Sequence, residues 1–435
     1  MILEQRYSFD DEFYRKSEEA LEIALSSVPA YSGWKVYDKE SFRSINDRYD
    51  ALPMLTKQMI RDSFPNGLIP CSKDIKRGLD REEIEYTFTS GTSGDRVINI
   101  WNQTWWNNSE QASWKLNKYT RNLNYPQREA KLASSLNVGI SCEEDLPFEK
   151  RLVGDKLYLN EKISLIQWQD RHYMRMVKEL NEFKPVILEA NPSLLARLCC
   201  WISDRGLDVY SPEVIIFTYE FVSKIHLKVI NEVFNCPTIS SYGTTETGFV
   251  MQQCEHGNMH QNTKFNRIDF YPLNEEVSDR KEIGRILVTV FDNPWNSIIR
   301  FDTGDLIRLY PNRRCECKNE NGLIASSIEG RLANSTFTTD KRLVTTKAFD
   351  DALSVVEGII DYELIQKSRK DFLLLIMLSK DKKNCKDNAY SVLEEIYGGD
   401  GKYTVEVRDN ILSGPAGKFR RTHAEFHVDW ESLHI

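Results

Sequence analysis

Thr238-Ile239-Ser240-Ser241-Tyr242-Gly243-Thr244-Thr245-Glu246 decides the fold of this 435-residue chain. Its first three residues read as a short strand. A hydroxyl-rich segment with one glycine follows at once and ends in a carboxylate. Upstream, Val214-Ile215-Ile216-Phe217 reads as a second strand, with a helix over residues 222–234 between the two. Val186-Ile187-Leu188 reads as a third, and Asn191-Pro192-Ser193 opens another helix. Strands alternating with helices specify an α/β protein with a parallel sheet. Such sheets bind ligands beyond the carboxyl ends of their strands. Residues 241–246 therefore form a candidate ligand loop in which Glu246 could hold Mg²⁺, a hard ion that prefers oxygen. A capped strand-to-helix turn is the competing account.

Working outward, residues 9–27 have helical spacing, with Leu21, Ala24, Leu25 and Val28 on one face. Thr56 is placed to cap a short helix to about residue 62. Residues 84–88 and 97–101 alternate like strands. They flank Thr89-Ser90-Gly91-Thr92-Ser93-Gly94, whose glycines and consecutive N–H groups could cradle phosphate oxygens. It lacks the Gly-Lys-Ser/Thr ending of a Walker loop. A helix is expected over residues 103–121. On the other side, residues 286–291, 297–301 and 306–310 read as strands. Between the last two, Asp305 of Arg300-Phe301-Asp302-Thr303-Gly304-Asp305 follows a tight turn and could accept two ribose hydroxyls. A plain hairpin turn is the alternative. Beyond Gly330-Arg331 comes a small α+β unit, with helices at 347–355 and 388–397 and strands at 362–365, 372–378 and 403–407. The expected domains are 1–330, multi-layered with a parallel sheet and a β-rich part, and 331–435, small and mobile.

A formal net charge of -8 argues against a nucleic-acid partner, which needs a basic surface. Nine scattered cysteines are not a secreted disulfide framework, the first residues do not form a signal peptide, and the longest apolar run, residues 372–378, is too short to span a membrane. A cytoplasmic protein with reduced thiols and no membrane partner is expected.

Near the end, Gly414-Pro415-Ala416-Gly417-Lys418-Phe419-Arg420-Arg421 sets one lysine among glycines. Alone it would be a solvated basic loop. The four motifs in this order resemble the adenylate-forming superfamily of acyl-CoA synthetases, peptide-synthetase adenylation domains and luciferases. The likeness is to its compact phenylacetate–CoA ligase-like branch, from about residue 50 onward. The resemblance implies that an acid is activated by ATP as acyl-AMP and passed to a thiol. In that reading Ser90, Gly91, Thr92, Ser93 and Gly94 hold the β- and γ-phosphates. Tyr242 and Gly243 lie along adenine within the Tyr242-Gly243-Thr244-Thr245-Glu246 core, Thr245 is near the α-phosphate, and Glu246 binds Mg²⁺. Glu220 ends the adenine-side strand, Asp305 binds ribose with Arg331 close by, and Lys418 reaches into the cleft as the catalytic lysine.

Three places depart from the family pattern. Asp95-Arg96 stands where many relatives carry a downstream lysine, Ala333 replaces a charged hinge residue after Gly330-Arg331, and Thr338-Thr339-Asp340-Lys341-Arg342 replaces a glycine-rich stretch. They leave the acceptor open among a carrier-protein thiol, CoA and an amine, with slow or absent transfer to CoA and a carrier protein as the favoured acceptor. They also keep a catalytically inactive nucleotide-binding scaffold as the alternative. The abundance of Trp, Tyr and Phe favours an aromatic or apolar acid. Cys254, His260, Cys315 and Cys317 supply three thiols and an imidazole for a closed, structural zinc site, with His256 as a rival ligand. Similar Cys/His pairs occur in the phenylacetate–CoA ligase-like branch. Trp101, Trp105, Trp106 and Trp114 read as core or pocket wall, and His423, His427 and His434 as surface.

Overall fold

The computed structural model describes residues 6–39, 41–42, 44–88, 97–134, 142–274, 282–379, 384–414 and 417–428. Two compact units emerge. The first is Met1–Leu123, Ser241–Pro272 and Glu282–Ser327; the second is Asn124–Ser240, Leu273–Lys281 and Ile328–Ile435.

In the second unit the expected parallel sheet is present. Strand Ile187–Ala190 pairs in parallel with Glu129–Leu132 on one side and Val214–Phe217 on the other, in the register Ala130↔Leu188↔Ile215. Lys156–Tyr158 extends it beyond Glu129–Leu132, and Ser240 pairs with Phe217 at the opposite edge. Period-two alternation puts Ala130, Leu132, Leu188, Ala190, Ile215 and Phe217 on one face. All are buried against helices Asp170–Phe183, Pro192–Arg205 and Lys224–Val233 through Met176, Leu180, Leu195, Leu198 and Ile230. Burying each large aliphatic side chain contributes about 1.5–3 kcal/mol. Helix Pro192–Arg205 starts where the sequence says it should: Asn191 Oδ1 accepts from the N–H groups of Ser193 and Leu194, and Pro192 needs no partner. Its interior holds Cys199, fully buried.

From Ile328 the same unit forms a four-stranded sheet in the order Lys402–Val407, Asp371–Leu378, Ile359–Ser368, Thr422–Ala424. The central pair is antiparallel and the outer two are parallel. Helices Thr346–Leu353 and Cys385–Tyr397 cover it over a core containing Phe349, Tyr362, Leu364, Phe372, Leu374, Leu393 and Tyr397. Every α+β element expected in this segment is found.

The first unit is antiparallel. Strands Gly248–Gln253, Met259–Gln261, Asn266–Pro272, Ile283–Val290 and Phe301–Leu309 lie in it. Helix Asp11–Ser27, capped by Asp10 on the N–H of Phe13 at 2.9 Å, buries Phe13, Ser17, Leu21 and Ala24. Thr56 caps helix Lys57–Ser63 as read. Strands Glu85–Phe88 and Ile98–Trp101 pair as a hairpin. The Thr/Ser/Gly loop between them, with Ser90, Gly91, Thr92, Ser93 and Gly94, lies outside the described residues.

Two local readings are corrected. Helix Gln103–Trp114 stops seven residues before residue 121. There the Thr120 hydroxyl donates to the Trp114 carbonyl at 2.7 Å and Asn117 donates to the Gln253 carbonyl, so both leave the helix for other partners. The segment from 297 to 310 holds one strand, Phe301–Leu309, and no hairpin. Arg300 sits at φ +52°, with its N–H on Thr289 Oγ1 and its carbonyl on the Leu55 N–H, so the ladder begins only at Phe301. Trp105 and Trp114 are core residues; the Trp105 indole donates to the Phe291 carbonyl at 2.9 Å. Among the described residues no helix is long and apolar enough to cross a membrane.

Candidate active site

Residues 241–246 do not form a loop into a helix. Strand Thr238–Thr244 takes in residues 241–244, and a turn at 245–247 leads back into Gly248–Gln253, pairing Tyr242 with Met251 and Thr244 with Gly248. The turn is tight: a Cβ on Gly243 would lie 2.1 Å from the Gly248 carbonyl oxygen, so only glycine fits. Thr244 and Thr247 share a hydroxyl hydrogen bond of 3.0 Å across the turn, and Thr245 is half-buried beside them. Glu246 is 4% exposed, and among the described residues its Oε1 has no hydrogen-bond partner. A buried carboxylate oxygen without a donor is costly. A cation at this oxygen removes the cost, so the residue fits the Mg²⁺ expected of it.

The Thr-Gly-Asp motif is a bulge and not a turn. Leu287 faces Asp302 and Arg285 faces Leu306, so extra residues of strand Phe301–Leu309 are extruded between them. Gly304 takes φ +74° in the bulge. Asp302 closes it by accepting from the Gly304 N–H at 3.0 Å, with Arg285 3.3 Å from its other oxygen. The extruded Asp305 is 8% exposed, and its Oδ2 accepts the Tyr242 phenol at 2.9 Å. Thr303 Oγ1 lies 3.3 Å from the same phenol and accepts the Asp305 N–H. Two motifs sixty residues apart in sequence thus form one constellation. Thr303 was legible only as part of the motif, without a role, and Arg285, which completes the constellation, carried no sequence signal.

The second unit holds the other candidates. Arg331 ends strand Ile324–Arg331, followed by the single 3₁₀ turn Leu332–Asn334 with Ala333 exposed. Glu220 and the lysine loop meet: Glu220 Oε1 accepts the Phe419 N–H at 3.1 Å and Oε2 accepts the Ser193 hydroxyl at 2.7 Å. Lys418 is half-buried and Phe419 buried. Arg421 is not a solvated residue of a basic loop. It is 3% exposed, pairs with Asp361, and donates to Ser193 Oγ at 2.6 Å. Asp361 also receives Arg197 at 2.9 Å and His226 at 3.1 Å. Burial alone would raise the Asp361 pKa, but the Arg421 and Arg197 guanidinium groups and the hydrogen bond with His226 hold it well below the usual carboxylate range.

His423, expected on the surface, has a side chain only 12% exposed. Burial, helped by Arg420, pushes its pKa down to about 4. An unfolded histidine titrates near ~6.5. Above that pH both states are neutral and the full stability is present. Below it the unfolded chain gains a proton that the folded chain refuses, so stability falls as pH falls toward 4. Going from pH 7 to 5 should remove about 1–2 kcal/mol through this group. His423→Gln should flatten the fall of Tm over that range; an unchanged slope would contradict the assignment.

Cys254, His260, Cys315 and Cys317 come together. Their ligand atoms all lie within 4.8 Å of one another, at the junction of strands Gly248–Gln253 and Met259–Gln261 with the connection after Phe301–Leu309. Cys254 and Cys315 sulfurs are 3.7 Å apart, and Cys317 Sγ is 3.2 Å from His260 Nε2. Tetrahedral zinc with Zn–S bonds of ~2.3 Å separates sulfurs by about 3.8 Å, so the donor set fits the ion in both chemistry and spacing. Burial holds the His260 pKa down at about 4, keeping the neutral form that can coordinate. The rival His256 instead faces Glu316 at 3.3 Å.

The chain matches no family model. It is similar to Protein CapK of Staphylococcus aureus, 21% identical over 248 residues, covering 56% of this chain. The match spans about half the length of that relative, 54%. Among solved structures it is similar to 2-hydroxyisobutyryl-CoA ligase in the postadenylation state with R3-HIB-AMP. The TM-score is 0.71 at 13% identity, over 97% of this chain and 90% of that one. The chain has the fold of the adenylate-forming ligases. It is also similar to the anthranilate CoA ligase AuaEII bound to anthranoyl-AMP, with TM-score 0.52, 15% identity, and 78% and 66% coverage. At these identities the likeness establishes the fold alone.

Proposed function

We propose that this chain activates a carboxylic acid with ATP, forming acyl-AMP and pyrophosphate, and passes the acyl group to a thiol. The observation that carries the reading is the joining of Tyr242 to Asp305 on the hairpin that ends in buried Glu246, within an adenylate-forming ligase fold.

A carboxylate and a polyphosphate repel each other, so the reaction needs positive charge and fixed geometry. A carboxylate oxygen attacks the α-phosphorus, the bond to the bridging oxygen of the β-phosphate breaks, and pyrophosphate leaves. Tyr242 and Gly243 flank adenine, Asp305 takes the ribose hydroxyls, and Thr244 and Thr245 line the α-phosphate. Ser90, Gly91, Thr92, Ser93 and Gly94 receive the β- and γ-phosphates. Glu246 would hold Mg²⁺, which when bound neutralises phosphate charge. Lys418 supplies the positive charge that offsets the repulsion between acid and nucleotide. Zinc at Cys254, His260, Cys315 and Cys317 is structural in this account, since all four positions are taken by protein. The segment from residue 331 to 435, expected from the sequence to be a small domain, would be the moving part between the two half-reactions.

The named relatives act on different acids, so no acid is assigned beyond a carboxylic acid of aromatic or apolar character. CoA is the first acceptor to try, because both solved relatives are named as CoA ligases. Carrier proteins come second: Ala333, exposed in its 3₁₀ turn, offers no charge to solvate a pivot, and a docking partner could supply the missing contacts. The test is pyrophosphate release from ATP against a panel of aryl and alkyl acids, each with CoA, a carrier protein or an amine. Acid-dependent release is expected. Nucleotide binding without release for any acid would leave a scaffold in place of an enzyme.

A further inference from the structure

The peptide unit that follows Lys418 is held at both ends. Its carbonyl accepts the Gly414 N–H at 2.9 Å, and the loop closes on itself through Gly417 N–H to the Gly414 carbonyl at 2.9 Å. Its N–H, that of Phe419, donates to Glu220 Oε1 at 3.1 Å, a residue 199 positions away in sequence. The second oxygen of Glu220 is held by the Ser193 hydroxyl, Ser193 by Arg421, and Arg421 by Asp361. The Phe419 ring is buried, with the Arg197 and Arg421 guanidinium carbons 5.5 and 4.9 Å from its centre. Both carboxylate oxygens of Glu220 therefore face protein donors, and one of them grips the backbone next to the lysine.

We propose that Glu220 is the positioning residue for Lys418, an assignment that rests on the adenylate-forming reading above. Lysine has a flexible four-carbon stem and much rotamer freedom. Its ammonium is useful in catalysis only if the Cα that carries it is fixed, because the geometry of attack tolerates little misplacement. A carboxylate accepting a backbone N–H makes a charge-assisted bond, stronger than a neutral one. Ser193 keeps the carboxylate from rotating away, and Arg421, two residues beyond Phe419, ties the far side of the loop to the same serine. Glu220 thus acts on the reaction through the lysine and not by touching the nucleotide with its carboxylate.

The test is a double-mutant cycle in acid-dependent ATP–pyrophosphate exchange, using Glu220→Ala, Lys418→Ala and the two combined. Glu220→Ala should lower kcat about 10–100-fold with the KM for ATP little changed. Glu220→Gln should fall between it and the wild type, since its amide oxygen can accept one of the two donors. The double variant should be no slower than Lys418→Ala alone; losses that multiply would overturn the proposal. Hydrogen–deuterium exchange of the Glu220→Ala protein, or of Glu220→Gln if that variant does not fold, supplies a readout that needs no substrate. The Gly414 and Phe419 amides should exchange faster than in the wild type while Tm is kept. Unchanged exchange there would overturn the proposal. If the wild type exchanges no pyrophosphate with any acid, the enzymatic reading fails, and amide exchange still decides whether Glu220 holds the loop.

Discussion

Lys418→Ala is expected to slow acid-dependent pyrophosphate exchange by about 10²–10³-fold, the usual cost of losing one preorganised charge contact, while leaving thermal unfolding nearly unchanged. The expectation of a sparing effect on folding comes from the loop itself. Its anchors are the buried Phe419 ring, the Phe419 N–H on Glu220, the Gly414 hydrogen bond and buried Arg421. None of these involves the lysine side chain, and the backbone bond made by the Lys418 carbonyl survives the substitution. A drop in kcat together with a large drop in Tm would show that the side chain is structural. Full exchange activity in the variant would remove the lysine from the mechanism.

Loss of zinc should have the largest effect on stability. One zinc per chain should co-purify. Cys254→Ser or Cys315→Ser should release it and lower Tm by roughly 10 °C or more, because binding energy at a structural site is folding energy. The four ligands join the hairpin formed by strands Gly248–Gln253 and Met259–Gln261 to the connection after strand Phe301–Leu309. Those elements also carry Glu246 at the turn before Gly248–Gln253 and Asp305 in its bulge. Chelation should therefore reduce exchange only in proportion to the fraction unfolded. Metal analysis that finds no zinc would end this part of the account. Activity lost at full Tm would mean that the ion is catalytic and the site open.

The parallel strands and their helices were legible in the sequence because their signals are local. Val214-Ile215-Ile216-Phe217 is short and rich in β-branched residues, which favours a buried strand, and Asn191-Pro192 supplies a cap and a first-turn proline for a helix start. The α+β segment after residue 330 was legible for the same reason. What the residues hid was set by distant partners. Nothing in Ser241-Tyr242-Gly243-Thr244-Thr245-Glu246 announces a hairpin until Gly248 is seen pressed against Gly243. The Thr303-Gly304-Asp305 segment looked like a turn because Gly and Asp favour turns. It is a bulge because the strand Ile283–Val290 continues past it on both sides. Glu220 and Arg421 looked like a strand end and a basic loop. Their roles appear only when chain segments some 200 residues apart are packed together. The candidate zinc ligands Cys254, His260, Cys315 and Cys317 were legible as two pairs, and the fold supplied their meeting while turning the rival His256 toward Glu316.

The most direct test of the central claim follows the acid's own oxygen. With an acid found in the pyrophosphate screen and labelled with ¹⁸O in both carboxylate positions, the complete reaction with its thiol acceptor should release AMP carrying one ¹⁸O. Attack of the carboxylate on the α-phosphorus puts that oxygen between acyl carbon and phosphorus, and the thiol then displaces it with the AMP. Mass spectrometry of the nucleotide reads the result in a single experiment. AMP with one label is the predicted outcome. Unlabelled AMP, or label in orthophosphate with ADP as the nucleotide product, would contradict the account.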